Sequence, residues 1–331
     1  MSAELAEPLR RTRRFALTVP ATSANLGPGY DSMGLALELR DTIEVTAAPR
    51  SRSEAARVSV AITGEGAADL PQDASHLVIA VVEKILAQRG CRLPDLHVRA
   101  QNVIPHSRGL GSSAAAIATA VELASQLLAE TPEGELSEDE RLQIGSRLEG
   151  HPDNYVPALR GGAAVSWERS PAEGGTRIFG TARLELHPDL TCVAAVPDFV
   201  QSTQAARGLL PAEVPHAEAA RNSSRSALLV HALTRDPDLL LEATEDSLHQ
   251  EYRRSAFPAS MSLVDALRAE GRATVISGAG PTVLVLTRKN EARHVAERIA
   301  AWDAEQAGSH RFSPQILPIT DTGVTVEPTP Q

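Results

Sequence analysis

Residues 105–115 read Pro105-His106-Ser107-Arg108-Gly109-Leu110-Gly111-Ser112-Ser113-Ala114-Ala115. Gly109 and Gly111 let the backbone turn tightly and approach a ligand with no Cβ in the way. The alanine-rich stretch that continues to Leu128 has high helix propensity, so Ser112 and Ser113 open a helix. Its first N–H groups lack intrahelical partners and stand at the positive end of the macrodipole. Loop and helix start together form an anion site with room for a chain of phosphates, where a serine hydroxyl could reach a divalent cation. Structure alone could also use a glycine turn before a helix, so the surrounding residues must decide. No Gly-x-x-x-x-Gly-Lys-Ser/Thr string occurs, which excludes the usual P-loop.

A second group of residues has the chemistry of an amino-acid site. Asp31 and Asp153 offer carboxylates to an ammonium group, and Arg207 and Arg253 offer guanidiniums to a carboxylate. Asn25, His151 and Asn154 could hold a hydroxyl-bearing side chain. Each also has a plainer use. Asn25 and Asp31 flank Gly27-Pro28-Gly29, where Asn and Asp commonly serve a turn. His151, ahead of Pro152, would suit any loop; the arginines would suit any surface; Gly278 and Gly280 would suit the turn Ser277–Thr282.

The elements that must position these residues follow from periodicity. Phe15–Pro20, Ile43–Thr46 and the alternating Val58, Val60, Ile62 read as strands. Leu77, Val78, Val81, Val82, Ile85 and Leu86 have helical spacing, with Ser75 as a candidate cap and Gly90 as the stop. Leu96 and Val98 begin a strand that runs toward Ile104 and into the glycine loop, giving strand, loop, helix. An acidic loop over Thr131–Glu140 precedes a helix ending near Gly150. Leu190–Val196 reads as a buried strand, Ala219–Leu233 and Pro258–Glu270 as helices. Val275-Ile276 and Val283–Leu286 flank a tight turn. The polar stretch Arg169–Thr176 marks a domain boundary.

The 331 residues suffice for two ordinary domains. With 42% hydrophobic and 22% charged residues the chain is a folded one, and with 3% aromatics its core is aliphatic. A net charge of -10 argues against a general nucleic-acid binder. No apolar run is long enough to span a bilayer, and the basic cluster Arg10–Arg14 lacks the apolar segment of a signal peptide. Cys91 and Cys192 are too few for a disulfide framework, so a cytoplasmic location is expected. Neither nucleic acid nor membrane is an expected partner, and a homodimer is left open.

The spacing Pro105-x-x-x-Gly109-Leu110-Gly111-Ser112-Ser113-Ala114-Ala115 resembles the phosphate-binding motif of the GHMP kinases, with Pro20–Asp31 and Ser277–Thr282 similar to the superfamily's other two motifs. Within it, Ser23–Asp31, Glu149–Asn154 with Gly161-Gly162, Ser202–Arg207 and Asp246–Arg253 resemble the homoserine kinase family, with Tyr30 where Phe is commoner. The resemblance covers about residues 15–290. It implies an α+β GHMP kinase fold: an N-terminal domain like ribosomal protein S5 domain 2 (1–170), a ferredoxin-like C-terminal domain (171–331), and the site in the cleft between them. It implies ATP-dependent phosphorylation of the L-homoserine hydroxyl in threonine biosynthesis, with Mg²⁺. On that reading Asn25, Asp31, His151, Asp153, Asn154, Arg207, Arg253 and Gly280 bind the amino acid, and residues Pro105 to Ala115 hold ATP. Asn154, Thr203 and Ser112 serve the transfer without a dedicated base, since an amide accepts no proton at neutral pH. Ser112 or Ser113 would hold the metal with an acid. Gln143 stands where spacing expects the carboxylate, which leaves Glu149. Ser75, His76 and Leu77 are candidates for adenine. Three other readings remain: a GHMP kinase for threonine, shikimate or mevalonate, a non-catalytic metabolite sensor, and a decarboxylase of the superfamily.

Overall fold

The computed structural model describes residues 5–51, 54–132, 134–169, 175–200, 206–306 and 310–328. Two sheets organise them. The first is built on β1 (Arg13–Ala24) and β2 (Met33–Ala48), an antiparallel pair in register from Arg13↔Ala47 to Ala24↔Gly34. The register shifts at Pro20/Ala21, where a proline with no N–H to give the ladder coincides with a bulge. Beyond β2 lies β4 (Asp95–Asn102), antiparallel to it and parallel to β3 (Val58–Gly64). Parallel neighbours need a long crossover, and α1 (Leu77–Gln88) lies in it. In β4, Leu96, Val98 and Ala100 are buried while His97, Arg99 and Gln101 are exposed, the period of two expected for a strand with one face on the core.

On that core lie α1, α2 (Ser112–Leu128), α3 (Glu138–Glu149) and α4 (Pro152–Arg160), with α2 and α4 resting on β1. Small side chains suit α2, which packs against α1, α3, α4 and β1 at once. The hairpin of β5 (Ala163–Arg169) and β6 (Ile178–Leu184) joins the beginning of β2.

The second sheet has four antiparallel strands: β7 (Leu190–Pro197), β8 (Ala273–Ile276), β9 (Val283–Arg288) and β10 (Phe312–Leu317), in the order β10-β7-β9-β8. Between β7 and β8 come α5 (His216–Thr234), a short α6 (Leu240–Ala243) and α7 (Pro258–Ala269), and between β9 and β10 comes α8 (Ala292–Glu305). This is the ferredoxin-like arrangement. Met261, Leu267, Val295, Ile299 and Trp302 cover one face of the sheet. Cys192, Ala194, Val275 and Leu284 on the other face join the main core with Leu229 and Leu233 of α5. Both faces being covered, β7 is buried along its whole length. The chain then returns to the first sheet as β11 (Thr325–Pro328), antiparallel to β1. Among the described residues no helix is long and apolar enough to cross a membrane.

The structure adds to the sequence reading in three places. β5 and β6, which pair with one another, stand on either side of the boundary expected at 170/171, so the first sheet extends to Leu184 and also takes in β11. Ser75 does not cap α1: its hydroxyl and its N–H bond Asp73, and His76 is the cap residue. The segment after Gly150, to which the sequence assigned no element, is a helix, α4.

Candidate active site

The glycine loop is held from behind by the second domain's turn. Ser277 Oγ donates to the Gly109 carbonyl at 2.6 Å and also lies 2.8 Å from Ser23 Oγ, while Thr282 N–H donates to the Arg108 carbonyl at 3.2 Å. A Cβ on Gly109 would stand 2.3 Å from the Ser277 carbonyl oxygen, so only glycine fits between the two loops. Gly111, at φ 71°, is the residue from which α2 starts, leaving the first N–H groups of that helix facing a cavity of about 320 Å³.

Opposite those N–H groups, local rules bring four side chains together. A capping box of Ser137 and Glu140 starts α3, and Gly150 in the left-handed region ends it. His151 then stands at the N-terminal cap position of α4 without a capping hydrogen bond, and Pro152 lies in the first turn. The sharp reversal puts Glu149, His151, Asp153 and Asn154 at one mouth, lining the same cavity. Ser113 Oγ donates to Glu149 Oε2 at 2.9 Å. Burial pushes the Glu149 carboxyl above the ordinary carboxylate range, against the pull of that hydrogen bond. His151 Nδ1 lies 2.7 Å from Asp153 Oδ1, which also accepts from the Asn154 backbone N–H at 2.9 Å. Burial works against a charge on His151, but the Asp153 carboxylate outweighs it and holds the imidazole above its ordinary value. Asn154 Oδ1 accepts from the Thr22 hydroxyl at 2.8 Å. That contact directs the amide's NH₂ away from Thr22.

The third wall carries a carboxylate and two guanidiniums. Asn25, Leu26 and Asp31 all have positive φ, a tight turn between β1 and β2. Asn25 holds it: Nδ2 donates to the Gly278 carbonyl at 2.8 Å and Oδ1 accepts from Asp31 N–H at 3.0 Å. The Asp31 carboxylate is gripped by Arg207 through two bonds, Nη2 to Oδ1 at 2.7 Å and Nη1 to Oδ2 at 3.2 Å. Arg253 is 1% exposed and reaches the same cavity. The Tyr30 ring meets both guanidiniums, its centroid 5.7 Å from that of Arg207 and 5.5 Å from that of Arg253.

A second cavity of about 400 Å³ shares Ser107, Ser112 and Ser113 with the first. Its walls are mostly apolar, including Ile43, Val78, Val98 and Ala116, and it includes Ser75, His76 and Leu77. The buried His76 Nδ1 and Thr119 Oγ1 have no hydrogen-bond partner among the described residues. Burial and the neighbouring His106 keep His76 below its ordinary value, hence neutral.

Most of the residues singled out in the sequence therefore meet in one place, with four departures. Ser113 rather than Ser112 contacts Glu149, although Ser112 lines both cavities. Gly280 faces Phe257 and Ile276, and it is Gly278 and Ala279 that line the first cavity. Within the glycine loop, Pro105, Leu110, Ala114 and Ala115 are buried supports, and Arg108 pairs with Glu65 at 3.2 Å. Gln143 is fully engaged: its Oε1 accepts from Phe179 N–H and its Nε2 donates to the Phe179 carbonyl, both at 2.9 Å, so it fastens α3 to β6. Thr203 lies outside the described residues. Thr22, Tyr30 and His249 stand inside the marked strings Pro20–Asp31 and Asp246–Arg253, but nothing local sets them apart from their neighbours there.

A helix N-terminus facing a paired carboxylate and two guanidiniums, on an S5-like domain joined to a ferredoxin-like one, defines a small-molecule kinase of the GHMP class. The family description "GHMP kinases N terminal domain" matches residues 76–162, and "GHMP kinases C terminal" matches residues 226–304. A homoserine kinase of Rhodococcus erythropolis is 48% identical over 288 residues, covering 86% of this chain and 89% of that protein. The chain belongs to the homoserine kinase family of the GHMP kinases. Among solved structures, a putative homoserine kinase from Listeria monocytogenes is 29% identical with a TM-score of 0.72, covering 96% of this chain and 100% of that one. A homoserine kinase from Cytophaga hutchinsonii shares the fold at 23% identity and a TM-score of 0.80, covering 95% and 98%.

Proposed function

We propose that this chain transfers the γ-phosphoryl group of ATP to the side-chain hydroxyl of L-homoserine, giving O-phospho-L-homoserine. One observation carries the choice of acceptor: Asp31, Arg207 and Arg253 share a cavity with the N-terminus of α2. A zwitterion fits against them, its ammonium on Asp31 and Asp153 and its carboxylate on the two arginines. Its short side chain then points toward Asn154 and the glycine loop. Shikimate and mevalonate carry no ammonium and would leave the acidic partners unmatched. The 400 Å³ cavity suits adenine, with the neutral His76 and Thr119 as polar contacts within apolar walls.

Phosphoryl transfer asks a protein mainly to align the acceptor and neutralise the phosphate oxygens. The N–H groups at the start of α2 supply the second, with the positive end of the helix dipole. Asn154, fixed by Thr22, donates its NH₂ to the acceptor hydroxyl and aligns it. The hydroxyl oxygen bonds phosphorus as the bond to ADP breaks, and the proton passes to a phosphoryl oxygen. Ser113 and Glu149 fit Mg²⁺, two hard oxygens joined to one another at the helix start, in a place where burial leaves the carboxylate short of compensating charge. When bound there the ion would neutralise phosphate charge. The reaction belongs in the cytoplasm, where ATP and Mg²⁺ are at hand. Phosphorus NMR of the protein with ATP, Mg²⁺ and L-homoserine tests the reading. A phosphomonoester signal growing in step with ADP supports it, and release of inorganic phosphate alone overturns it.

A further inference from the structure

Arg253 is held in an unusual way for an arginine in an amino-acid site. Its Nε donates to the Ala206 carbonyl at 3.2 Å and its Nη1 to His249 Nδ1 at 3.2 Å. Both partners are neutral acceptors, so among the described residues the hydrogen bonds that fix this buried guanidinium leave its charge uncompensated and facing the cavity.

The histidine that holds it is fixed in turn. His249 is 0% exposed, and its Nε2 lies 2.8 Å from the Gly27 carbonyl oxygen. A carbonyl oxygen can only accept, so Nε2 carries the proton and donates it. Nδ1 is then a bare lone pair, as the guanidinium N–H requires. The backbone before the ring is held by Asp246, whose buried carboxylate accepts from the N–H groups of Leu248, His249 and Gln250 at 2.9, 3.1 and 2.7 Å. Gly27 belongs to the same turn as Asn25 and Asp31, so His249 ties the wall that carries the acid to the arginine.

We infer that His249 is a positioning residue for substrate recognition: as the neutral tautomer protonated at Nε2, it links the Gly27 turn to Arg253 and aims the guanidinium at the carboxylate of the acceptor. The inference rests on homoserine being that acceptor. Four ionisable groups face the ring: Asp246, with Oδ2 3.6 Å from Nε2, Tyr30 with ring centroids 5.2 Å apart, Arg253 and Asp31. Burial is the largest influence and keeps the imidazole below its ordinary value, with Arg253 acting the same way and Asp246 and Asp31 opposing. A proton added at Nδ1 would remove the acceptor and set a second cation against Arg253.

The test compares two ligands on the full-length protein. L-Homoserine carries the carboxylate; 3-aminopropan-1-ol has the same hydroxyl and ammonium without it, and is measured as a competitive inhibitor against homoserine. His249→Leu removes donor and acceptor. It should raise the KM for homoserine about 10- to 100-fold, the range for losing an aimed hydrogen bond to a charged group. The KM for ATP and the inhibition constant of 3-aminopropan-1-ol should stay within about threefold of wild type. His249→Asn, whose Oδ1 can take the place of Nδ1, should restore most of the homoserine affinity. If His249→Leu does not fold, His249→Gln, which can reach Gly27 but gives Arg253 no acceptor at the Nδ1 position, should show the same selective loss. Equal losses for both ligands, or an unchanged KM for homoserine, would overturn the inference while leaving the acceptor reading intact. A wild type that does not phosphorylate homoserine would overturn both.

Discussion

Replacing Gly111 with alanine tests whether the glycine loop and Asn154 act as one device. The residue sits at φ 71°, a region that costs an L-residue about 1–2 kcal/mol. An added Cβ would also stand 1.9 Å from Thr22 Oγ1 and 3.2 Å from Asn154 Oδ1. Relief of the first contact requires a shift on the order of 1–1.5 Å, beyond what close packing absorbs without strain. Thr22 is 0% exposed and has no open space to move into, so its 2.8 Å hydrogen bond to Asn154 breaks, which costs about 1 kcal/mol more. The stability loss should total roughly 2–3 kcal/mol. A misplacement of about 1 Å at the reacting groups costs about 100-fold in kcat. Gly90→Ala is the control, since Gly90 has φ 68° and nothing within 4 Å of an added Cβ. It should lose only the backbone term and keep wild-type kcat. Denaturant unfolding and a coupled assay of ADP release read the two effects separately. A Gly111→Ala protein with kcat within threefold of Gly90→Ala would refute the coupling between loop, Thr22 and Asn154.

Two further predictions concern the carboxylates. Glu149, held above its ordinary range by burial, is destabilising when ionised, and that cost appears as pH rises above the ordinary carboxylate range. Glu149→Gln should therefore be at least as stable as wild type at pH 7–8 without Mg²⁺, yet need a higher Mg²⁺ concentration for half-maximal rate; a less stable variant with unchanged Mg²⁺ dependence would make Glu149 a structural partner of Ser113. The folded-state value of His151 is raised by Asp153, so the pair's stabilisation is complete below the unfolded histidine value of about 6.5 and is lost as pH rises through the folded one. The thermal advantage of wild type over His151→Gln should be larger at pH 6 than at pH 9, and the opposite trend would contradict the ion pair.

How much of this was legible beforehand depended on the range of the interaction. The glycine loop, the helix after it and the turn before Thr282 are local, set by glycine, alanine and alternation, and appear where the sequence puts them. Contacts between distant residues were not legible. Thr22 meets Asn154 across 132 positions and His249 meets Gly27 across 222; both stand inside marked strings, but a string does not say which distant residue its members will touch. Helix α4 went unassigned because Pro152, Pro157 and Gly161 interrupt any helical pattern. Yet Pro152 stands at the first turn, where its missing N–H costs nothing, and Gly161 lies just past the end. β11 is four residues long and owes its place to β1, some 300 positions earlier, so no local pattern could announce it. Spacing pointed to residue 143 for the metal's acid. The fold instead clamps that amide on Phe179 and places Glu149, six residues on, against Ser113.

The central claim is that one cavity matches a zwitterionic hydroxy acid to the phosphate site. The specificity constant kcat/KM for L-homoserine, L-threonine, shikimate and mevalonate, measured under one set of conditions with ATP and Mg²⁺, tests it most directly. Homoserine should be turned over, threonine more slowly because its hydroxyl is one carbon closer to the ammonium, and the two acids without an ammonium group not at all. Turnover of shikimate or mevalonate at or above the rate for homoserine would contradict the roles given to Asp31, Arg207 and Arg253.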